Sequence, residues 1–212
     1  MAREMSTEVT PRPAASEAQG FKIGRRDVAC LGPMMAHNLW LLFSIPIGPP
    51  LLGPHPLLLS LLRGSVSAMI ATGAVSHRGD FPLVLALLAP LIMNVFSDPF
   101  YYWAGMRYGR KIFDHMANNG GNMRKRQIAW AERMFKKWGA PGIFLAYYIP
   151  FLPQPILIMF AGETRMRIWL VALADGIGVM SYILMYVLLG WFIGKPAINV
   201  ANTVSHYGLW LT

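Results

Sequence analysis

Three ionisable side chains stand where an apolar chain has little reason to place them. Asp98 follows sixteen residues without a charge, Pro82 to Ser97. Asp175 is the one charge in the run Ile168 to Ile193. Arg63 interrupts the apolar stretch His55 to Val75, beside Gly64 and Ser65. Charged groups inside a membrane are costly, so each points to a function or to a partner. A guanidinium fits a phosphate bidentately, and free N–H groups at a helix break also favour anions. Arg63, Gly64 and Ser65 therefore form a candidate headgroup site. The alternative for Arg63 is an ion pair with Asp98 or Asp175. Asp98 has two further readings: a proton carrier, or a cap on a break at Pro99 near the cytoplasmic interface. Asp175 sits among Ala174, Gly176 and Gly178, small residues that allow close helix contact. It either hydrogen-bonds a neighbouring helix and does nothing more, or carries a proton. Glu163, Arg165 and Arg167 read as an interfacial cluster or as a gate, with Glu163 a third candidate for proton coupling or ion pairing.

The composition says what solvent these groups live in. Hydrophobic residues make up 55% of the 212 and charged residues 14%, against about 25% charged in a soluble domain. The net charge of +9 is concentrated: between Gly105 and Gly139, nine Lys and Arg side chains face only Asp114 and Glu132. A nucleic-acid binder can show such a cluster, but this one lies between apolar segments. It follows the positive-inside rule and places the loop 105–139 in the cytoplasm, against anionic headgroups. Cys30 is the only cysteine, which excludes an intrachain disulfide and reads as a packing residue. His37 reads as a satisfied buried histidine. With no second His or Cys at ligand spacing, no metal or cofactor is expected.

The elements follow from hydropathy and from proline. A spanning helix needs roughly 20 mainly apolar residues. Residues 1–27 mix both charges and read as a disordered cytoplasmic tail, and 28–212 as a single membrane domain. Within it, 28–48 reads as a transmembrane helix that Pro46, Pro49 and Pro50 end near Ser44. The runs 81–109 and 166–194 read as long transmembrane helices. Two further apolar stretches carry breaks. Residues 54–75 contain Arg63, Gly64, Ser65 and Ser67, and 141–163 contain Pro150, Pro153 and Pro155. Broken backbone at membrane depth persists only inside protein or beside a wet cavity, so both read as re-entrant hairpins. Between them, 110–138 reads as amphipathic cytoplasmic helix, with Ile128, Ala131, Met134, Phe135 and Trp138 on one face. Residues 196–212 read as a short terminal helix.

The halves echo each other. Each runs hairpin, small residue and glycine, long helix, then a Gly-x-x-x-Gly-basic ending: Gly73 to Gly105 and Arg110, Gly162 to Gly190 and Lys195. The separations are 32 and 28 residues, one helical turn apart. The fold expected is an all-α integral membrane protein built as an inverted repeat, a pattern that marks a transport site between broken segments.

The stretch Asp98-Pro-Phe-Tyr-Tyr-Trp-Ala-Gly-Met-Arg-Tyr-Gly-Arg110 resembles the DedA family, the bacterial branch of the SNARE-associated Golgi (VTT-domain) proteins. Asp98, Tyr102, Trp103, Gly105, Arg107, Gly109 and Arg110 match its acid and Tyr-Trp-x-Gly-x-Arg-x-Gly-Arg pattern. Phe144 to Gly162 matches its Phe-Leu start, Ile149-Pro150 and closing Ala161-Gly162. Asp175, Gly178 and Tyr182 stand at the places of its Asn-x-x-Gly-x-x-x-Trp helix. The resemblance covers Pro54 to Lys195. It departs where the family has an arginine on each side of the second hairpin's proline: here stand Tyr147 and Pro153 or Gln154. It also lacks the family's acids in the first hairpin.

The resemblance implies a bacterial inner-membrane lipid flippase or scramblase, in several members tied to the proton-motive force and to polyprenyl-phosphate carriers. Tyr147, Pro150 and Gln154 join Arg63, Gly64 and Ser65 as candidate substrate contacts. The implied partners are lipids with an anionic headgroup, and protons. A homo-oligomer is compatible with this reading, and nucleic acid is not. A non-transporting scaffold is the alternative and would show a packed wall between the hairpins. An intramembrane lipid-phosphate enzyme needs a nucleophile and base at useful spacing, which the chain does not offer.

Overall fold

The computed structural model describes residues 25–119, 121–149 and 154–211. Pro150, Pro153 and most of the N-terminal tail lie outside them. The described residues form helices joined by short turns, without strands. Helix α1 (Arg25–Phe43) begins inside the stretch read as tail and stops at Phe43, just before the Ser44 to Pro50 segment. Short α2 (Gly48–Leu52) follows, then α3 (Pro56–Arg63) and α4 (Val66–His77). These two are separated by Gly64, whose φ of 59° is left-handed. A residue with a Cβ resists that conformation, so the chain turns there and α4 packs back on α3.

The expected single helix over 81–109 is two: α5 (Leu83–Val95) and α6 (Asp98–Tyr108). The cause is Pro99, which has no N–H and whose ring collides with the carbonyl four residues back, that of Val95. Ser97 stays in helical conformation and takes the amides of Phe100 and Tyr101, so the joint is a kink. After the left-handed Gly109 come α7 (Arg110–Asn119) and α8 (Gly121–Trp138). Gly139 ends α8, and α9 (Ala140–Ala146) leads to the second break. Then α10 (Gln154–Glu163), α11 (Ile168–Ile193) and α12 (Lys195–Leu211) complete the chain.

Two stretches are long and apolar enough to cross a membrane, Leu83–Tyr108 and Ile168–Ile193, each 26 residues. Only 22% and 28% of their most apolar windows are buried in the protein. Leu173, Ile177, Leu184 and Phe192 all point outward. Water would not tolerate so large an apolar face, whereas a hydrocarbon solvent would. At 1.5 Å per residue α11 is about 39 Å long, enough for the roughly 30 Å hydrocarbon core.

Two helix crossings hold the bundle. Helix α4 runs beside α11 in the same direction: Gly73 lies against Val187, and four residues on, His77 packs edge-on against Trp191 at 5.0 Å. Gly190 lies against the backbone of Ile70. Helix α6 runs beside α10 in the same way, with Gly105 on Met159, Gly109 near Glu163 and Gly162 on Tyr102. In each of the four tight contacts a Cβ would overlap a backbone carbonyl. Each crossing joins the second arm of one broken segment to a long apolar run from the other half of the chain.

The amphipathic α8 turns its face inward. Ile128, Ala131 and Phe135 are buried, Phe135 stacks on Phe160 of α10, and Phe113 of α7 stacks on the same ring at 4.0 Å. Trp138, expected on that face, is instead exposed. Glu132 accepts from Arg110 (2.8 Å), which ties α7 to α8, and from Lys136 of its own helix (2.9 Å).

Gly190→Ala should lower the thermal midpoint of the detergent-solubilised protein, with a cost of about 1–3 kcal/mol for overpacking. Gly176→Ala in the same helix, with nothing within 4 Å, should be neutral or mildly stabilising. Equal behaviour of the two variants would show that the crossing is not tight.

The hydrogen bonds from Arg110 and Lys136 hold the Glu132 carboxyl down to about 2. Its ordinary value is roughly 4.3. A depressed carboxyl stabilises above its unfolded value, and that contribution disappears as pH falls through the folded one. The protection of amides in α7 and α8, taken relative to the intrinsic exchange rate at each pH, should therefore fall between pH of about 4.3 and 2. Glu132→Gln should remove that dependence.

Candidate functional site

The crossings place the N-terminal ends of α6 and α10 side by side, next to the third turn of α11. Asp98 opens α6, Gln154 opens α10, and Asp175 projects from α11. The two carboxyl residues are 6% and 4% exposed, so both are shielded from any aqueous phase. One amide joins them. Gln154 Nε2 lies 2.9 Å from Asp175 Oδ1 and 3.3 Å from Asp98 Oδ1. Tyr147, at the end of α9, donates its hydroxyl to Asp175 Oδ1 at 2.8 Å and lies 3.2 Å from Gln154 Nε2. Gly178, one turn beyond Asp175, lies against the Tyr147 ring and leaves room for it. Asp98 Oδ2 is buried with no hydrogen-bond partner. A lone buried acceptor costs free energy unless something fills its place, and a proton is the smallest thing that does.

Three cavities meet around this cluster. A polar one of about 220 Å³ is lined by Arg63, Asn94, Asp98 and Gln154, with His37 and Asn38 of α1 opposite. A smaller one of about 150 Å³ lies beyond Asp98 and Asp175 and extends to Ile168 at the start of α11. An apolar one of about 650 Å³ begins at Arg63 and reaches Ile193 at the other end of α11. Arg63 is common to the apolar and polar cavities, and Asp98 to the polar and the small one. Of the three, only the small one is lined along α11, from Ile168 to Gly176, and the apolar one touches that helix at Ile193.

A VTT domain profile matches residues 63–192. The chain belongs to the VTT-domain family. It is also similar to the undecaprenyl phosphate transporter A of Bacillus subtilis (strain 168), 27% identical over 135 residues, 64% of this chain and 67% of that protein. No solved structure matches. Within this VTT-domain chain, α1 and α12 fall outside the matched span, whereas every residue of the Asp98–Gln154–Asp175–Tyr147 cluster falls inside it.

The sequence-derived candidates divide into three places. Asp98, Asp175, Gln154 and Tyr147 come together. Arg63 faces them across the polar cavity and pairs with neither carboxylate: its Nη1 donates to the Ser44 carbonyl at 3.3 Å. The Gly64 carbonyl takes a long contact of 3.4 Å from Asn94 Nδ2, and Ser65 turns to the apolar cavity. Glu163 stands nine residues from Gln154, about 13 Å along α10, beside Gly109. It is therefore remote from the cluster. Pro150 lies outside the described residues.

His37 corrects the sequence reading. Its Nδ1 is buried with no partner and its ring lies near Phe96, so it is not a satisfied core histidine. Asn38 donates to Tyr101 Oη at 3.1 Å and so pins α1 to α6. The adjacent pair His37-Asn38 in an otherwise charge-free run was the signal available for this wall of the cavity.

Gln154→Leu strips both carboxyls of a shared donor and should cost about 1–3 kcal/mol, seen as a lower thermal midpoint in detergent. Adding Asp98→Leu removes the orphaned acceptor as well, and should recover part of that loss. Additive losses in the double variant would mean that Gln154 and Asp98 do not interact.

Proposed function

We propose that this chain moves a lipid phosphate between the leaflets of a bacterial cytoplasmic membrane. The observation that carries the reading is a set of three neighbouring cavities that share a guanidinium, Arg63, at one border and a carboxyl, Asp98, at the other. The breaks at Gly64 and after Tyr147 are taken as the tips of two re-entrant hairpins. Glycine crossings of the same construction support an inverted repeat whose halves exchange arms. In this topology the hairpin tips meet near the bilayer midplane, and the basic segment 105–139 lies in the cytoplasm. A packed wall between the tips was the mark of a scaffold, and the cavities there count against it.

Arg63 is the headgroup ligand in this reading. Among the described residues its side chain makes a hydrogen bond to one neutral carbonyl and no ion pair, so its charge is not already spent. Lipid tails stay in the membrane while the headgroup passes through the polar cavity. The name of the Bacillus subtilis relative makes undecaprenyl phosphate the first lipid to try. Two buried carboxyls bridged by a neutral amide repel each other when both are ionised. Coupling to protons runs through this pair, with one proton shared between Asp98 and Asp175 and exchanged as the headgroup enters or leaves.

Proteoliposomes carrying a polyprenyl phosphate with a reporter on its phosphate side test the reading. A charge-assisted hydrogen bond is worth about 1.5–3 kcal/mol, so Arg63→Ala should slow leaflet exchange roughly ten-fold or more, with Arg63→Lys between it and wild type. Wild-type exchange in Arg63→Ala would remove the guanidinium from the mechanism. Wild-type protein that exchanges no faster than empty liposomes would end the transport reading.

A further inference from the structure

The 650 Å³ cavity has a shape and lining that the headgroup site does not need. It is far larger than a phosphate and within the roughly 300–1,000 Å³ range of small-molecule sites. Its polar side chains, Arg63, Ser65 and Ser67, sit at the α3–α4 break, and its remaining lining is apolar. The rest runs past Ile70 and Ala71 of α4 to Leu52, Ala197 and Ala201. One wall is α12, which is held in place rather than left to float. Ser205 Oγ donates to the Pro50 carbonyl at 2.9 Å, Asn202 packs against Gly53, and Ala201 joins Leu52, Leu59, Ala68 and Ala71 in a buried cluster. One edge of the cavity is open: Val200 of α12 is 63% exposed, and in a membrane that side faces lipid.

We infer that this cavity is a binding site for the hydrocarbon chain of the transported lipid, entered laterally from the bilayer at its exposed Val200 edge. The inference rests on the headgroup reading above, because Arg63 at its inner end fixes which lipid occupies it. An amphiphile with one long chain and a phosphate meets both demands at once. The chain fills the apolar part, and the phosphate reaches the guanidinium that also borders the polar cavity. Shape and packing against the cavity wall then select the chain, because a chain that leaves the bilayer gains no hydrophobic transfer free energy, while Arg63 selects the head. Helices α2 and α12 fall outside the span that the VTT domain profile matches. Chain selectivity is thus supplied in part by segments outside the matched span, and the head is read by Arg63 at its edge.

The test uses the full chain in phosphatidylcholine nanodiscs with two probes, a long-chain polyprenyl phosphate and a phosphatidylcholine, each with a diazirine at the end of its chain. Mass spectrometry maps the crosslinks. The polyprenyl phosphate should label Leu52, Ala197 and Ala201 at least five-fold more than phosphatidylcholine does. Ala197→Trp, and separately Val200→Trp on the exposed edge, should reduce that labelling at least five-fold while the thermal midpoint stays near wild type. Equal labelling by both probes, or labelling of Leu173 and Ile177 on the outer face only, would overturn the inference: the cavity would then hold bulk lipid. Arg63→Ala separates the two readings. Loss of selective labelling in that variant supports both. Selective labelling that persists at wild-type strength keeps the chain site and removes the headgroup role of Arg63.

Discussion

Backbone-to-backbone contact at four glycines sets the positions of everything else. Gly73 and Gly190 let α4 lie directly on α11, and Gly105 and Gly162 let α6 lie on α10. In lipid no hydrophobic effect drives helices together, so close approach of small residues and the dispersion it permits must do it. Both crossings are parallel, so the register of one residue pair determines the register of the whole arm. Moving α10 one turn along α6 would carry Gln154 about 5.4 Å, out of reach of Asp98 and Asp175. The polar cluster is thus a consequence of the glycine register as much as of its own hydrogen bonds.

The second constraint is the penalty on polar groups away from water. The helix break at Gly64 has its backbone groups covered. Gly64 N–H returns to the Ser60 carbonyl, Asn94 covers the Pro90 and Gly64 carbonyls, and Trp40 Nε1 covers Leu62. These bonds let the backbone break at Gly64 without leaving bare groups against hydrocarbon. Against that background, the two unanswered atoms at the polar cavity, His37 Nδ1 and Asp98 Oδ2, stand out.

Much of this was legible in the residues. The four crossing glycines are the ones whose spacing suggested two halves, Asp98 and Asp175 were visible as charges in apolar runs, and Gln154 and Tyr147 as the residues standing where the resembling family has arginine. Their shared contact was not, because it depends on which face each helix turns after a kink. Pro99 illustrates the difficulty: its collision is with a carbonyl four residues back, so the break falls at Val95, in a run whose hydropathy never falters. The docking of α12 was hidden for another reason. Its polar stripe of Asn199, Asn202 and His206 suggested a helix in the interface, and only the groove beside Gly53 shows what Asn202 packs against. Trp138 failed as a core residue because α8 ends beyond the reach of α10.

The neutral character of Gln154 has a consequence for Arg63. A cation in place of this amide, within hydrogen-bond reach of both carboxyls, would draw both into ion pairs and fix the cluster as a closed structural unit. An amide bonds one oxygen of each carboxyl without cancelling its charge, so the coupling proposed above requires a mobile neutralising species. Proton exchange meets that requirement, because a proton can arrive and leave where a tethered cation cannot. On the other side of the polar cavity, Arg63 is bonded to a carbonyl rather than to a carboxylate. Were Asp98 its partner, an incoming phosphate would have to displace a charge already in place, and most of its binding free energy would be lost to that exchange. Bridging the acids through Gln154 and anchoring the guanidinium on Ser44 keeps the opposite charges apart. In the transport cycle proposed above, this leaves a place for an anion at Arg63 and a place for a proton at Asp98 on the lining of one cavity.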